Sequence, residues 1–253
     1  MLLRSLTKHV NDQNWFAVFV DFIIVVFGVF VGIQVANWNE AQAFNDRETQ
    51  LLSELKREIE KGINITNNKG DGYVQVAAAG KRSLVVLSNE GNCETNCWLA
   101  LVDFMHASQW QDARVNHSIY DEMRRLGLPR NRTIIEKIEG FLAQNEGSAL
   151  SLDDKPIYRT KIRQLIPAEV QEYYWSNCYT YVRGTETYLL NCSEGLSNAM
   201  ASELIKSIVN RPYIKLQLTE WTGYVVQIPS DFNQQNAEAL EAIALIEDEL
   251  DRR

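Results

Sequence analysis

Apolar and polar positions follow a helical period along most of this chain, except in one stretch where polar positions nearly vanish. From Phe16 to Ile33 the single charged residue is Asp21, and the rest are apolar residues and glycine. A helix rises ~1.5 Å per residue, so a segment of this length reaches ~30 Å, the thickness of a bilayer's hydrocarbon core. Trp15 and Trp38 stand at its two ends, where aromatic side chains anchor in the headgroup region. The pattern predicts one membrane-spanning helix over 15–38. The alternative, a buried core helix, seldom stays apolar on every face for so long.

The helical stripe continues past Trp38 through Phe44, Leu51, Leu52, Leu55, Ile59 and Ile63, with charges between. The membrane helix is therefore expected to run on into the next domain. It is expected to stop near Asn67-Asn68-Lys69-Gly70, whose Asn and Gly are helix-ending residues. A second helix is expected over Tyr73–Leu87, where β-branched residues leave a strand possible, followed by a loop over Asn89–Asn96. Trp98, Leu101, Val102 and Met105 mark a short helix. Asn116-His117-Ser118 opens another through Tyr120, Met123 and Leu126, closed by Gly127 and Pro129. Asn131 caps the next, whose apolar positions are Ile134, Ile135, Ile138, Phe141 and Leu142.

Asp153-Asp154-Lys155-Pro156 has the acidic and proline start of a helix that Pro167 breaks. VQEYYWSNCYTYV then reads as a helix with Val170, Tyr173, Tyr174, Cys178 and Tyr181 inward, ending at Gly184. Ser197 starts a helix through Met200, Leu204, Ile208 and Val209. Pro212 and Pro229 bracket one through Leu216, Trp221 and Tyr224. Ser230-Asp231 caps the last, through Leu240, Ile243, Ala244, Ile246 and Leu250. No alternating strand pair, fixed-period repeat or low-complexity segment is visible. The expected fold is all-α: one N-terminal transmembrane helix continuing into a disulfide-containing helical bundle.

Charge and cysteines give this arrangement a direction. The formal net charge of -8 argues against a nucleic-acid partner, whose footprint would be basic. Arg4 and Lys8 precede the span, whereas Glu40, Asp46 and Glu48 outnumber Arg47 after it, which favours a cytoplasmic leader (1–14). All four cysteines, Cys93, Cys97, Cys178 and Cys192, follow the span. An even number confined to that part suits disulfides in an exported 39–253 domain; free thiols in a cytosolic domain are the alternative. Three connectivities are open. Cys93–Cys97 and Cys178–Cys192 are favoured, the second needing a chain break such as Gly184. Ala41-Gln42-Ala43 resembles a cleavage site, but the long apolar run and its distance from that site favour a retained anchor.

The segment LRSLTKHVNDQNWFAVFVDFIIVVFGVFVGIQVANWNEA resembles the opening of a family of uncharacterised single-pass bacterial membrane proteins. The resemblance rests on Val26, Gly28, Val29, Val31, Gly32, Ile33, Gln34, Trp38, Asn39 and Glu40. It is specific over about the first fifty residues, and SIYDEMRRLGLPRNRTIIEKIEGFL carries it loosely further. It implies an anchored, mainly helical extracytoplasmic domain in the inner membrane of Gram-negative bacteria, and no catalytic residues.

Within the span, Gly28 and Gly32 leave a flat surface for a second helix. At 100° per residue, Asp21, Val25, Gly28 and Gly32 share one stripe, so the expected packing face carries the span's ionisable group. Alternatively, Asp21 reaches water at the cytoplasmic interface. His9, His106 and His117 lack metal-ligand spacing, and no nucleophile elbow, phosphate loop or dinucleotide fingerprint occurs. No metal site or cofactor is expected. Asp153-Asp154 and the C-terminal EDELD run read as a helix start and a solvated face. Tyr173, Tyr174, Trp175, Tyr179 and Tyr181 either line a ligand pocket or pack as core. The expected function is a non-enzymatic, membrane-anchored interaction protein that forms a homo-oligomer or joins a membrane-protein complex. A ligand-sensing domain signalling through a partner and a periplasmic enzyme are the alternatives.

Overall fold

The computed structural model describes residues 15–93, 96–182 and 185–253. The leader 1–14, with Arg4, Lys8 and His9, and the expected terminator Gly184 lie outside the described residues. The chain is all-α, with 77% helix and 3% strand. It divides into two compact units, Met1–Leu52 and Ser53–Arg253.

In the first unit, helix α1 (Trp15–Ser88) begins at the first described residue. Phe19, Phe22, Ile24, Phe27 and Phe30 are each more than half exposed. No residue of its most apolar window is buried, so this segment is not the core helix of a globular unit; it is long and apolar enough to cross a membrane. Near residue 45 the face becomes polar, and local pairs such as Gln42–Asp46 and Thr49–Asn45 brace the helix one turn at a time.

In the second unit α1 does not stop at Gly70 but continues to Ser88, taking in the expected second helix over 73–87. The residues expected to end it are engaged sideways. Asn67 accepts a hydrogen bond from Asn236 (2.8 Å), and Lys69 donates to the Asp112 carbonyl. A Cβ on Gly70 would lie 3.7 Å from Phe232, within ordinary contact. Local propensity is a weak preference that packing overrides, and here a buried stripe of Leu55, Ile59, Thr66, Tyr73, Val76, Ala79 and Leu87 maintains the helix. The helix ends where Glu90 (φ 54°) and Gly91 (φ 83°) turn left-handed and the Gly91 N–H bonds the Val86 carbonyl.

The remaining helices are α2 (Cys97–His106), α3 (Ser118–Arg125), α4 (Arg132–Ser151), α5 (Ile157–Leu165), α6 (Ala168–Asn177), α7 (Asn198–Val209), α8 (Pro212–Val225) and α9 (Ile228–Asp251). Asn96, Asn131 and Ser197 cap α2, α4 and α7 by accepting from backbone N–H groups two or three residues on. Gly127 (φ 74°) closes α3, with the Leu128 N–H bonded to the Met123 carbonyl. The start of α3 has no cap of its own; the Glu58 carboxylate of α1 accepts from the Ile119 N–H, the Ser118 hydroxyl and the Asn116 amide. Pro229 lies in the first turn of α9, so that helix begins two residues before the expected Ser230 cap.

One expectation fails in detail. The helix through VQEYYWSNCYTYV ends at Asn177, and β1 (Tyr179–Val182) pairs antiparallel with β2 (Thr185–Tyr188), Tyr179 opposite Tyr188. Alternating Tyr, Thr and Val suits a pleated ribbon better than a helix, and Tyr181 consequently faces outward. Of the apolar positions that mark the last three helices, Met200, Leu216 and Leu240 are more than half exposed, while Ala201 and Ile205, Ile214 and Leu218, and Ala239 and Ala242 are buried. The core of the second unit centres on Tyr73, Trp98, Phe104, Tyr158, Tyr174 and Phe232. Around it α4 lies along α9, α2 against α7 and α5 against α8.

Candidate functional site

The residues expected to form a packing face lie on the apolar part of α1. Asp21 is half-buried, Val25 is 54% exposed, and a Cβ added to Gly28 or Gly32 would meet nothing within 4 Å. Trp15 and Trp38 are exposed at the two ends.

The cysteines pair as favoured, Cys93 with Cys97 and Cys178 with Cys192, both with Cα atoms 4.9 Å apart. Cys178 caps α6 and Cys192 follows β2, so the second bridge staples the base of the β1–β2 ribbon. The Leu189 N–H bonds the Cys178 carbonyl across the same base. A two-stranded ribbon is marginal alone, and the bridge holds it against α6.

That ribbon places the aromatic segment. Tyr174 is fully buried rather than lining a pocket, and Trp175, Tyr179 and Tyr188 follow it as a chain of ring contacts at 4.8–6.0 Å. His106 lies under them. One ring nitrogen, Nδ1, is 2.7 Å from the Tyr174 hydroxyl, and Nε2 is 3.1 Å from the Leu189 carbonyl. Burial pushes the His106 imidazole down to about 4, so it is neutral at pH 7 and serves as a satisfied core residue, as expected for a histidine without metal-ligand neighbours. Burial likewise raises the Tyr174 and Tyr188 hydroxyls well above the ordinary tyrosine range, keeping both as neutral donors. His117 is on the surface beside Asp121.

The polar network continues to residues that sequence reasoning missed. Gln109 donates to the Tyr174 hydroxyl at 2.9 Å, and its side-chain carbonyl accepts from Arg163 at 3.0 Å. Arg159 donates to the Ser108 carbonyl at 2.7 Å, and Arg163 Nε donates to the Ser108 hydroxyl at 3.0 Å. The Arg163 guanidinium lies over the Trp175 ring, 5.1 Å from its centroid. Burial, then the neighbouring Arg159 charge, pushes Arg163 down to about 10, so it stays protonated at neutral pH. The available signal was Arg-x-x-x-Arg in YRTKIRQ: two like charges on one helix face repel unless something else holds them there.

No other chemistry gathers among the described residues. No cluster of three or more His, Cys, Asp or Glu side chains is placed to hold a metal ion. A cleft of about 520 Å³ opens between α5 and α8, lined by Lys155, Ile157, Gln217, Glu220, Trp221 and Tyr224, without a nucleophile and base in contact. No family model, curated protein or solved structure matches this chain.

Proposed function

We propose that this chain is a non-enzymatic, membrane-anchored interaction protein. Its span lies in a bacterial inner membrane with the leader in the cytoplasm and residues 39–253 in the periplasm. It self-associates or joins a larger membrane complex through the face formed by Asp21, Val25, Gly28 and Gly32. The observation carrying this reading is that Gly28 and Gly32 stand one turn apart, where an added Cβ would meet no described residue within 4 Å, on a helix with no buried residue in its most apolar window. Small residues allow helix backbones to approach closely in lipid, where dispersion and interhelical hydrogen bonds drive association. An intramembrane carboxylate on the same stripe is stable when it faces protein or water, not lipid. Two disulfides in the part that follows the span support export to an oxidising compartment. The resemblance of the first fifty residues to anchored bacterial proteins supports the same placement.

The test of placement is a fusion of reporters after Arg253. A reporter active only in the periplasm is expected to work, and one active only in the cytoplasm is expected to stay silent. The reverse pattern would overturn the orientation, and activity of both in the soluble fraction would overturn the anchor.

A further inference from the structure

Arg159 and Arg163 sit one turn apart on α5, half-buried, with the Trp175 ring beneath the second. Both guanidinium groups approach one acceptor, Gln109 Oε1, at 3.5 and 3.0 Å, so the two cations are close neighbours. Their other partners, the Ser108 carbonyl and hydroxyl, are also neutral. Among the described residues, no carboxylate reaches either guanidinium. Glu186 acts on both only at a distance, and its carboxylate already accepts the Tyr188 hydroxyl at 2.6 Å. Arg159 Nε and Nη2 and Arg163 Nη1 make no hydrogen bond to a described residue.

Two partly desolvated like charges on one face are costly without a counter-charge. Here a rigid frame holds them together: Gln109 is fixed by Tyr174 and Tyr174 by His106, all three buried. A guanidinium presents its N–H groups as a fork that matches the oxygens of a carboxylate or phosphate two at a time.

We propose that Arg159 and Arg163 form a binding site for a small oxyanion, a carboxylate or a phosphate, whose oxygens take the unused N–H donors of both guanidinium groups. This site goes beyond the anchoring function and does not depend on it, because the residues that form it all lie in the unit Ser53–Arg253.

The test uses the full chain in detergent, freed of oxyanions and titrated with sodium phosphate or sodium succinate against sodium chloride at matched ionic strength. Calorimetric binding and the thermal midpoint are both read. Saturable binding of at least one probe is expected, with a midpoint that rises with its concentration. Binding of phosphate alone assigns the phosphate class, and binding of succinate alone the carboxylate class. R159Q and R163Q are each expected to weaken binding about tenfold, the loss of one charge-assisted contact. R163K keeps the charge but loses the fork, so it is also expected to weaken binding, and it carries the comparison should a glutamine variant fail to fold. R125Q, at an exposed arginine on α3, is expected to bind like the parent. Failure of both probes to bind beyond chloride would overturn the proposal, as would binding unchanged in both R159Q and R163K.

Discussion

Replacing Gly80 by alanine separates helix propensity from packing. Gly80 lies inside α1, where alanine is favoured over glycine by ~1 kcal/mol. The new methyl, however, would land on the Thr222 hydroxyl of α8 and lie 3.1 Å from its Cγ2, closer than real Cβ contacts normally come. Thr222 is 5% exposed and its hydroxyl has no hydrogen-bond partner among the described residues, so the side chain is enclosed rather than anchored. Overpacking costs ~1–3 kcal/mol, and a Cβ that lands on an enclosed hydroxyl belongs to the upper part of that range, which exceeds the propensity gain. We expect G80A to be less stable by ~1–2 kcal/mol in urea denaturation of the full chain in detergent, and its midpoint temperature to fall by a few degrees. G147A is the control: Gly147 is inside α4 with nothing within 4 Å of its Cβ, so propensity acts alone and stability should rise by ~0.5–1 kcal/mol. T222A removes the hydroxyl and methyl that the new Cβ would meet, so the double variant G80A/T222A should recover most of the loss, a coupling of ~1 kcal/mol. G80A as stable as the parent, or strictly additive with T222A, would refute the close contact between α1 and α8.

Two further outcomes follow from the second unit. Alkylation of the denatured, unreduced protein should label none of the four cysteines, and the C178S/C192S double variant should lose ~2–4 kcal/mol, as expected for a loop closed over fourteen positions; labelling of the parent at Cys178 would contradict that bridge. His106 titrates at about 4 when folded, below its ordinary 6.5, so the unfolded chain takes up its proton first. Its stabilising contribution is complete above pH 6.5 and is lost as pH falls towards 4, by ~3 kcal/mol at most; the difference in stability between parent and H106Q should change across that window, and a constant difference would show that the imidazole is not buried neutral.

What the sequence revealed depended on how local each signal was. The apolar N-terminal helix, the Asn131 and Ser197 caps and the Gly127 stop are written within a few residues and are where the patterns placed them, whereas Asn96, read only as the end of a loop, caps α2. The end of α1 was misplaced because Asn67 and Gly70 have the same chemistry whether they end a helix or touch a neighbour. Asn236 and Phe232, far along the chain, decide between the two. The ribbon was missed for a related reason: YTYV and TETY are each four residues long, too short for a period to show. The cysteine pairing was legible from spacing, since Cys93–Cys97 is local and leaves Cys178–Cys192. The arginine pair was not, because each arginine alone reads as surface charge, and the buried Gln109–Tyr174–His106 support comes from two other helices and the loop between α2 and α3.

The most direct test of the central claim is the size of the complex formed by the intact chain in native-like membranes, compared among the parent, G28L, G32L and V29L. If the Gly28/Gly32 face docks a partner helix, leucine at either glycine removes close backbone contact and the complex should shrink, whereas leucine at Val29, off the stripe, should leave it unchanged. If all three variants form the same species as the parent, the span is an anchor alone and the proposed association face is wrong.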